Sequence, residues 1–440
     1  MTEIRKIINK PILTGAFFLT SSGIICRMLG FLYRIFLSNT IGAKELGILQ
    51  LFMPVFILGV SVCSGGIQIA VSRFVAENIN DKNECINILK AGILLCILLS
   101  LLSCGFIFLF SNQIASYCIG SDKYASLIRL LLLAIPMAAF HACVFGYYFG
   151  KSRAGIPALA EIIEQSSKIL SFGILFYAFG NRFFSNKVSI AVVALVLSEF
   201  VNTVFLCYLI IREIPHKNNE DNKKPSLKNS ISKIFKVSYI LTLNKVMLNI
   251  FQSVEAFLFP MMLFKYGLSQ TESIEVYGVF SGMALPVVMF PSSVITSVSL
   301  LLMPKIARDN SGQKKSSLNK TTQSVIAASL FCGIICTLFF LLFGNPIGNL
   351  LFKNSTSGAY IVTLSWLCPF MYLSITLGSI LHGLGKTTTA FIHNIISVII
   401  RIFFLAFVVP QIGITGYFWG VLLSYIVITL LHYNGVKRYI

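Results

Sequence analysis

The sequence predicts an all-α polytopic membrane protein, with about twelve transmembrane helices in two parallel six-helix lobes around a central cavity. Three observations predict it. The chain is 56% hydrophobic and 12% charged, with a mean hydropathy of +0.83, whereas soluble domains are about 25% charged. Apolar runs longer than the roughly 18 residues that cross a bilayer recur from end to end, without the alternation of barrel strands. The third observation is an internal repeat. LGILQLFMPVFILG from Leu46, closing on SRFVAEN, returns near Tyr277 as a segment containing GMALPVVMF and closing on PKIARDN. Pro54 and Pro286, Arg73 and Lys305, Glu77 and Asp309, and Asn78 and Asn310 stand at one common offset.

Taken in order, the predicted helices cover about 11–38, 46–71, 87–111, 125–150, 158–180 and 188–211, then 233–262, 276–303, 321–344, 358–382, 387–409 and 413–434. The first follows a basic N-terminus but has no clear cleavage site, so it reads as a span rather than a signal peptide. Residues 1–211 form the predicted N-terminal lobe and 233–440 the C-terminal lobe. Between them 212–232, rich in Asn, Lys, Pro and Ser, reads as a flexible cytoplasmic linker. Pro136 and Pro369, and Gly150 and Gly383, extend the repeat into the fourth and tenth helices. Each helix n matches helix n+6. An even offset preserves orientation, so the repeats are parallel. Prolines at matched positions, Pro54 with Pro286 and Pro136 with Pro369, predict lobes that bend alike.

The net charge of +19 suggests nucleic acid only until the charges are placed. Of the Lys and Arg residues, 23 lie at the N-terminus, in or beside the even-numbered loops, and in the C-tail; six lie in the odd-numbered loops. That asymmetry is topological and predicts cytoplasmic termini, with no nucleic-acid partner. The eleven cysteines form no CxxC and mostly lie in apolar runs, where they read as small buried hydrophobes. The histidines show no metal-ligand spacing, and no metal is expected. HGLGKTTT at His382–Thr389 lacks the phosphate-loop spacing and follows a membrane helix, so it reads as a turn.

Polar residues inside the spans carry the functional expectation. Arg27 and Arg34 are seven residues apart on the first helix and share a face. An Arg at mid-membrane costs at least about 2.5–3.5 kcal/mol, so a cavity and an anionic partner are expected there. A guanidinium fork suits phosphate. The seventh helix carries Lys245, Gln252 and Glu255 in a drifting stripe. With the arginines, these are the expected substrate-binding residues of the central cavity. Glu161, Glu164 and Lys168 on the fifth helix, Glu199 and Asn202 on the sixth, and Asn394 and Arg401 on the eleventh are gate or pathway candidates.

The stretches TGAFFLTSSGIICRMLGFLYRIFLSNTIGAKELGILQLFMPV, SRFVAEN, YYFGKSRAGIPALAEIIEQSSKI, PKIARD and LHGLGKTTTAFIHNII carry a family resemblance. Across essentially the whole chain, the sequence resembles the polysaccharide-exporter branch of the multidrug/oligosaccharidyl-lipid/polysaccharide (MOP, MATE-like) flippase superfamily. The resemblance implies a flippase for an undecaprenyl-pyrophosphate-linked sugar precursor, lipid II-like, in the cytoplasmic membrane of an endospore-forming Gram-positive bacterium, with spore-cortex peptidoglycan as the destination. It implies that Arg27 and Arg34 meet the pyrophosphate and that Glu255 is the acidic residue of the seventh helix. The expected partners are that undecaprenyl-linked glycolipid and membrane lipids, and the expected working unit is a monomer. Flipping makes and breaks no bond, so no enzyme activity and no cofactor are expected beyond a coupling cation or proton. The competing readings are a cation-coupled multidrug or organic-cation exporter of the same fold, a membrane glycosyltransferase, and a non-transporting scaffold.

Overall fold

A run of apolar residues in a bilayer must satisfy every backbone polar group within itself, which leaves the helix as the available form here. The computed structural model describes residues 2–179, 187–213, 227–311 and 315–439, and among these the chain is helical nearly throughout. The long elements are α1 (Thr2–Ser64), α2 (Ile67–Glu77), α3 (Lys82–Leu109), α4 (Ala134–Gly150), α5 (Gly155–Phe179), α6 (Lys187–Glu213), α7 (Leu227–Tyr266), α8 (Gln270–Tyr277), α9 (Ser292–Ser311), α10 (Lys315–Phe352), α11 (Ser355–Leu364), α12 (Cys368–Gly383), α13 (Thr387–Phe403) and α14 (Ile414–Tyr439). Among the described residues, nine helices are long and apolar enough to cross a membrane, or ten if a bent pair counts as one span. α5 is outside that set, since Glu161, Glu164 and Lys168 interrupt its apolar run. The middle of the predicted linker, 214–226, lies outside the described residues.

Helix boundaries follow local chemistry. α3 starts where Asp81 accepts hydrogen bonds from the N–H groups of Asn83 and Glu84. α8 starts with a capping box between Ser269 and Glu272. The first two predicted helices meet across a kink at Gly42, with φ 84° and ψ 172°, a conformation that favours glycine. The second predicted helix also ends early, at a turn through Gly65 and Gly66, and resumes as α2.

The matched prolines do not all behave alike. Pro136 and Pro369 each stand in the first turn of a helix after a short break, Leu132–Leu133 before one and a 3-10 turn at Ser365–Leu367 before the other. Pro286 follows a wide π-type turn at Gly278–Ala284, and the helix bends by 55° beyond Met289. Pro54 sits inside α1, where Gly42 is the residue with non-helical dihedrals. Helix distortion at this pair is therefore unequal.

The described residues cluster into two compact units. The first combines Met1–Leu29 with Phe52–Ile250, and the second combines Gly30–Leu51 with Phe251–Ile440. In the first unit α2 packs tightly on α4, because Gly150 leaves no room for a side chain. A Cβ there would stand 2.6 Å from the carbonyl oxygen of Ser72. The N-terminal half of α7 joins this unit through polar contacts. The Gly66 N–H donates to Thr242 Oγ1 at 3.0 Å, and Asn87 Nδ2 donates to Ser230 Oγ at 2.8 Å.

The second unit repeats the glycine contact. A Cβ on Gly383 of α12 would lie 3.2 Å from the Met303 carbonyl oxygen of α9. The middle stretch of α1, Gly30–Leu51, belongs here: Asn39 Nδ2 donates to the Leu351 carbonyl at 2.7 Å. Phe259, Tyr277, Phe280 and Tyr417 form an aromatic cluster with neighbouring centroids 4.7–5.4 Å apart. A half-open apolar groove of about 540 Å³ lies beside α11 and α14. It is lined by residues including Val362, Phe370 and Leu422 and by the chain's two tryptophans, Trp366 and Trp419, both exposed.

Candidate functional site

Two polar clusters interrupt the apolar interior, one in each unit. The first is built on α4, α5 and α6. Glu161, Glu164 and Lys168 fall on one face of α5 through spacings of three and four, and Glu199 and Asn202 are one turn apart on α6. α5 lies along α6, and α4 adds His141. His141 Nδ1 stands 3.0 Å from Glu199 Oε2. Asn202 Nδ2 donates to Glu164 Oε2 at 3.1 Å and lies 3.5 Å from His141 Nδ1. Lys168 Nζ approaches Glu164 Oε1 at 3.5 Å. Glu199 is 4% exposed and Asn202 is fully buried. Arg27, from the first half of α1, acts electrostatically on the Glu161 carboxylate.

Burying carboxylates away from water is expensive unless counter-charges accompany them. Here three acids share Lys168, Arg27 and the imidazole of His141. The arrangement can hold a proton or a cation, and Arg27 keeps an exposed guanidinium at its edge.

The second cluster is an ion pair. Arg401 of α13 grips Glu255 of α7 through two bonds, Nε to Oε1 at 2.6 Å and Nη2 to Oε2 at 3.1 Å. Tyr417 of α14 donates its hydroxyl to Glu255 Oε1 at 2.7 Å, and Arg401 Nη1 reaches Ser397 Oγ at 3.4 Å. This bidentate geometry is the strong form of the interaction. It neutralises Glu255 locally.

The structure thus gathers Glu161, Glu164, Lys168, Glu199, Asn202 and Arg27 in one unit, and joins Glu255 to Arg401 in the other. No described contact brings Arg34, Lys245, Gln252 or Asn394 into either cluster. Lys245 is exposed, with its stem over Gly65; a Cβ on that glycine would meet Lys245 Cδ at 3.3 Å. Asn394 donates to the Ala390 carbonyl of its own helix. His141, which along with the other histidines shows no metal-ligand spacing in the sequence, joins this cluster in the structure. Its partners lie on two other helices, so no spacing along the chain announces it.

A third polar group ties helix ends. Lys151, just beyond α4, meets Glu213 Oε1 at 2.7 Å and the Tyr147 hydroxyl at 2.5 Å, and Arg153 reaches the same Glu213 oxygen at 3.1 Å. Burial alone would push the Lys151 ammonium down. The Glu213 carboxylate and Tyr147 hydroxyl outweigh it, and the net direction is up. Part of the GKSRAGIP stretch therefore serves as an anchor for the end of α6.

The family described as "Polysaccharide biosynthesis protein" matches residues 12–309. Stage V sporulation protein B of Bacillus subtilis (strain 168) is 22% identical over 98% of this chain and 84% of its own length. Lipid II flippase MurJ of the same organism is also 22% identical, over 98% of this chain and 83% of its own. Among solved structures, the inward-facing conformation of a multidrug resistance MATE family transporter of the MOP superfamily superposes with a TM-score of 0.70 at 17% identity, covering 96% of this chain and 97% of that one. A MOP superfamily transporter from Pyrococcus furiosus, described as having a binding pocket of reverse polarity, gives 0.69 at 16% identity, with coverages of 97% and 95%. The fold is therefore the all-α, multi-spanning MATE/MOP fold.

Proposed function

We propose, because this chain belongs to the polysaccharide biosynthesis protein family, that it is a membrane transporter flipping an undecaprenyl-pyrophosphate-linked sugar precursor, lipid II-like, by alternating access. The observation that carries the reading is Arg27. It is an exposed residue on a membrane helix beside an acidic cluster, and its guanidinium is a planar, permanently charged donor suited to a pyrophosphate. The head group must cross about 30 Å of hydrocarbon, and the step makes and breaks no bond. The similarity to a lipid II flippase and to a stage V sporulation protein supports a peptidoglycan precursor, with the spore cortex as its destination. Energy would come from a coupling cation, a proton or the membrane potential, which supplies about 2.3 kcal/mol per charge per 100 mV.

The test is flipping of a fluorescent undecaprenyl-pyrophosphate sugar by the purified chain in proteoliposomes. Signal above protein-free vesicles is the expected result; none, from protein shown to be folded, rejects the substrate. A second reading, a cation-coupled exporter of organic cations, draws on the acidic residues of the first unit and on the multidrug transporters that share the fold. Uptake of a lipophilic cation by the same vesicles, without lipid flipping, would select it.

The charge asymmetry supports cytoplasmic termini and a cytoplasmic linker over 212–232 between lobes of 1–211 and 233–440; the working unit in this reading is a monomer. Single cysteines placed on a cysteine-free background should be reached from inside at Lys223 and from outside at Lys187. The reverse pattern inverts the topology.

A further inference from the structure

The cluster on α4, α5 and α6 has a feature that flipping does not need. One ligand atom each from His141, Glu164 and Glu199 lies within 4.8 Å of the others. All three are acceptors: an imidazole nitrogen and two carboxylate oxygens. His141 Nδ1 lies 3.5 Å from the Asn202 amide and offers a lone pair in one of the two imidazole tautomers, the one that a bound cation selects. The same nitrogen stands 3.0 Å from Glu199 Oε2. Glu199 Oε2 is buried and, despite the short distance, has no aligned hydrogen bond; Asn202 Oδ1 is buried without a partner too. Buried carboxylate oxygens crowded beside an imidazole are costly unless a positive charge stands among them.

We propose that His141, Glu164, Glu199 and Asn202 form a site for one divalent transition-metal ion of the Zn²⁺ type. Zinc takes imidazole nitrogen at about 2.0–2.1 Å and carboxylate oxygen at about 2.0–2.2 Å. Two donors across such an ion stand roughly 3.3–4.4 Å apart, so the observed spread closes with small side-chain shifts. Turning the Asn202 amide by 180° exchanges its nitrogen and oxygen. The unpartnered Oδ1 then becomes the fourth donor, and the hydrogen bond to Glu164 gives way to the ion that Glu164 also binds. The result is one nitrogen and three oxygens, four-coordinate.

The donor set also chooses the metal. Na⁺, Mg²⁺ and Ca²⁺ are hard ions that want oxygen throughout; an imidazole in the set favours zinc and its d-block neighbours. Two carboxylates neutralise a double charge, and Lys168 remains on the second oxygen of Glu164. His141 is further steadied by stacking on Phe145, with centroids 5.2 Å apart. A bound ion would staple three consecutive helices, α4, α5 and α6.

The experiment uses the full chain in detergent, with its affinity tag removed and no imidazole present. Titration with Zn²⁺ should show one equivalent bound, with affinity falling at least tenfold in His141→Ala and in Glu199→Gln. His393→Ala, in a different part of the fold, should bind like the parent. X-ray absorption of the zinc-loaded parent, which needs no variant to fold, should show nitrogen and oxygen donors near 2.0–2.2 Å. No bound zinc, undiminished binding in His141→Ala, or a sulfur shell near 2.3 Å from the cysteines would each overturn the site. Displacement of the zinc by millimolar Na⁺ would overturn its selectivity and the assignment with it.

Discussion

Arg401→Ala should destabilise the second unit by about 3–5 kcal/mol, the loss expected when one partner of a buried ion pair is removed. Glu255 would be left 9% exposed with a full charge. The Tyr417 hydroxyl alone cannot replace the two bonds that Arg401 makes to both carboxylate oxygens. Removing both charges at once, as Arg401→Met with Glu255→Met, should recover most of that loss. The desolvation of both ions then disappears together with their attraction, and such replacements are often neutral or stabilising. Equilibrium unfolding in mixed detergent micelles measures the single and the double variant side by side. If Arg401→Ala unfolds like the parent, the ion pair contributes nothing to the fold. If the double variant is stable and still flips lipid, Glu255 has a structural role only.

Arg27→Ala should reduce flipping by roughly 10–100-fold, since hydrogen bonds to charged groups contribute about 1.5–3 kcal/mol and each 1.4 kcal/mol is tenfold. The side chain is exposed, so the melting temperature should move little and the defect should be one of transport. Arg27→Lys keeps the charge but gives up the planar fork, and should fall between parent and alanine. Initial flipping rates over a range of substrate content separate weakened binding from slowed movement. Unchanged flipping in a folded Arg27→Ala protein would remove the phosphate contact from the mechanism.

Hydropathy alone located the helices, because a bilayer permits few alternatives to a continuous apolar helix. The breaks were less legible. The exception is Gly42, which lies in the gap between the first two predicted spans and whose non-helical dihedrals separate two helices there. The bend beyond Met289 depends on a wide turn that no periodicity in the sequence marks. Polar pairing was visible only within a helix, as with Glu164 and Lys168 at i and i+4. Glu255 and Arg401, 146 residues apart, were each recognised as buried charges of interest without being recognised as each other's partner. His141 shows no metal-ligand spacing along the chain for the same reason. Its meaning comes from Glu164 and Glu199 on neighbouring helices, and three-dimensional proximity has no signature in linear spacing.

The placement of Trp366 and Trp419 has an optical consequence. Since these are the chain's two indoles and both line one groove, the tryptophan emission of the protein, excited at wavelengths that its 16 tyrosines do not absorb, originates there. A quencher carried on an acyl chain would address that spot without any dye.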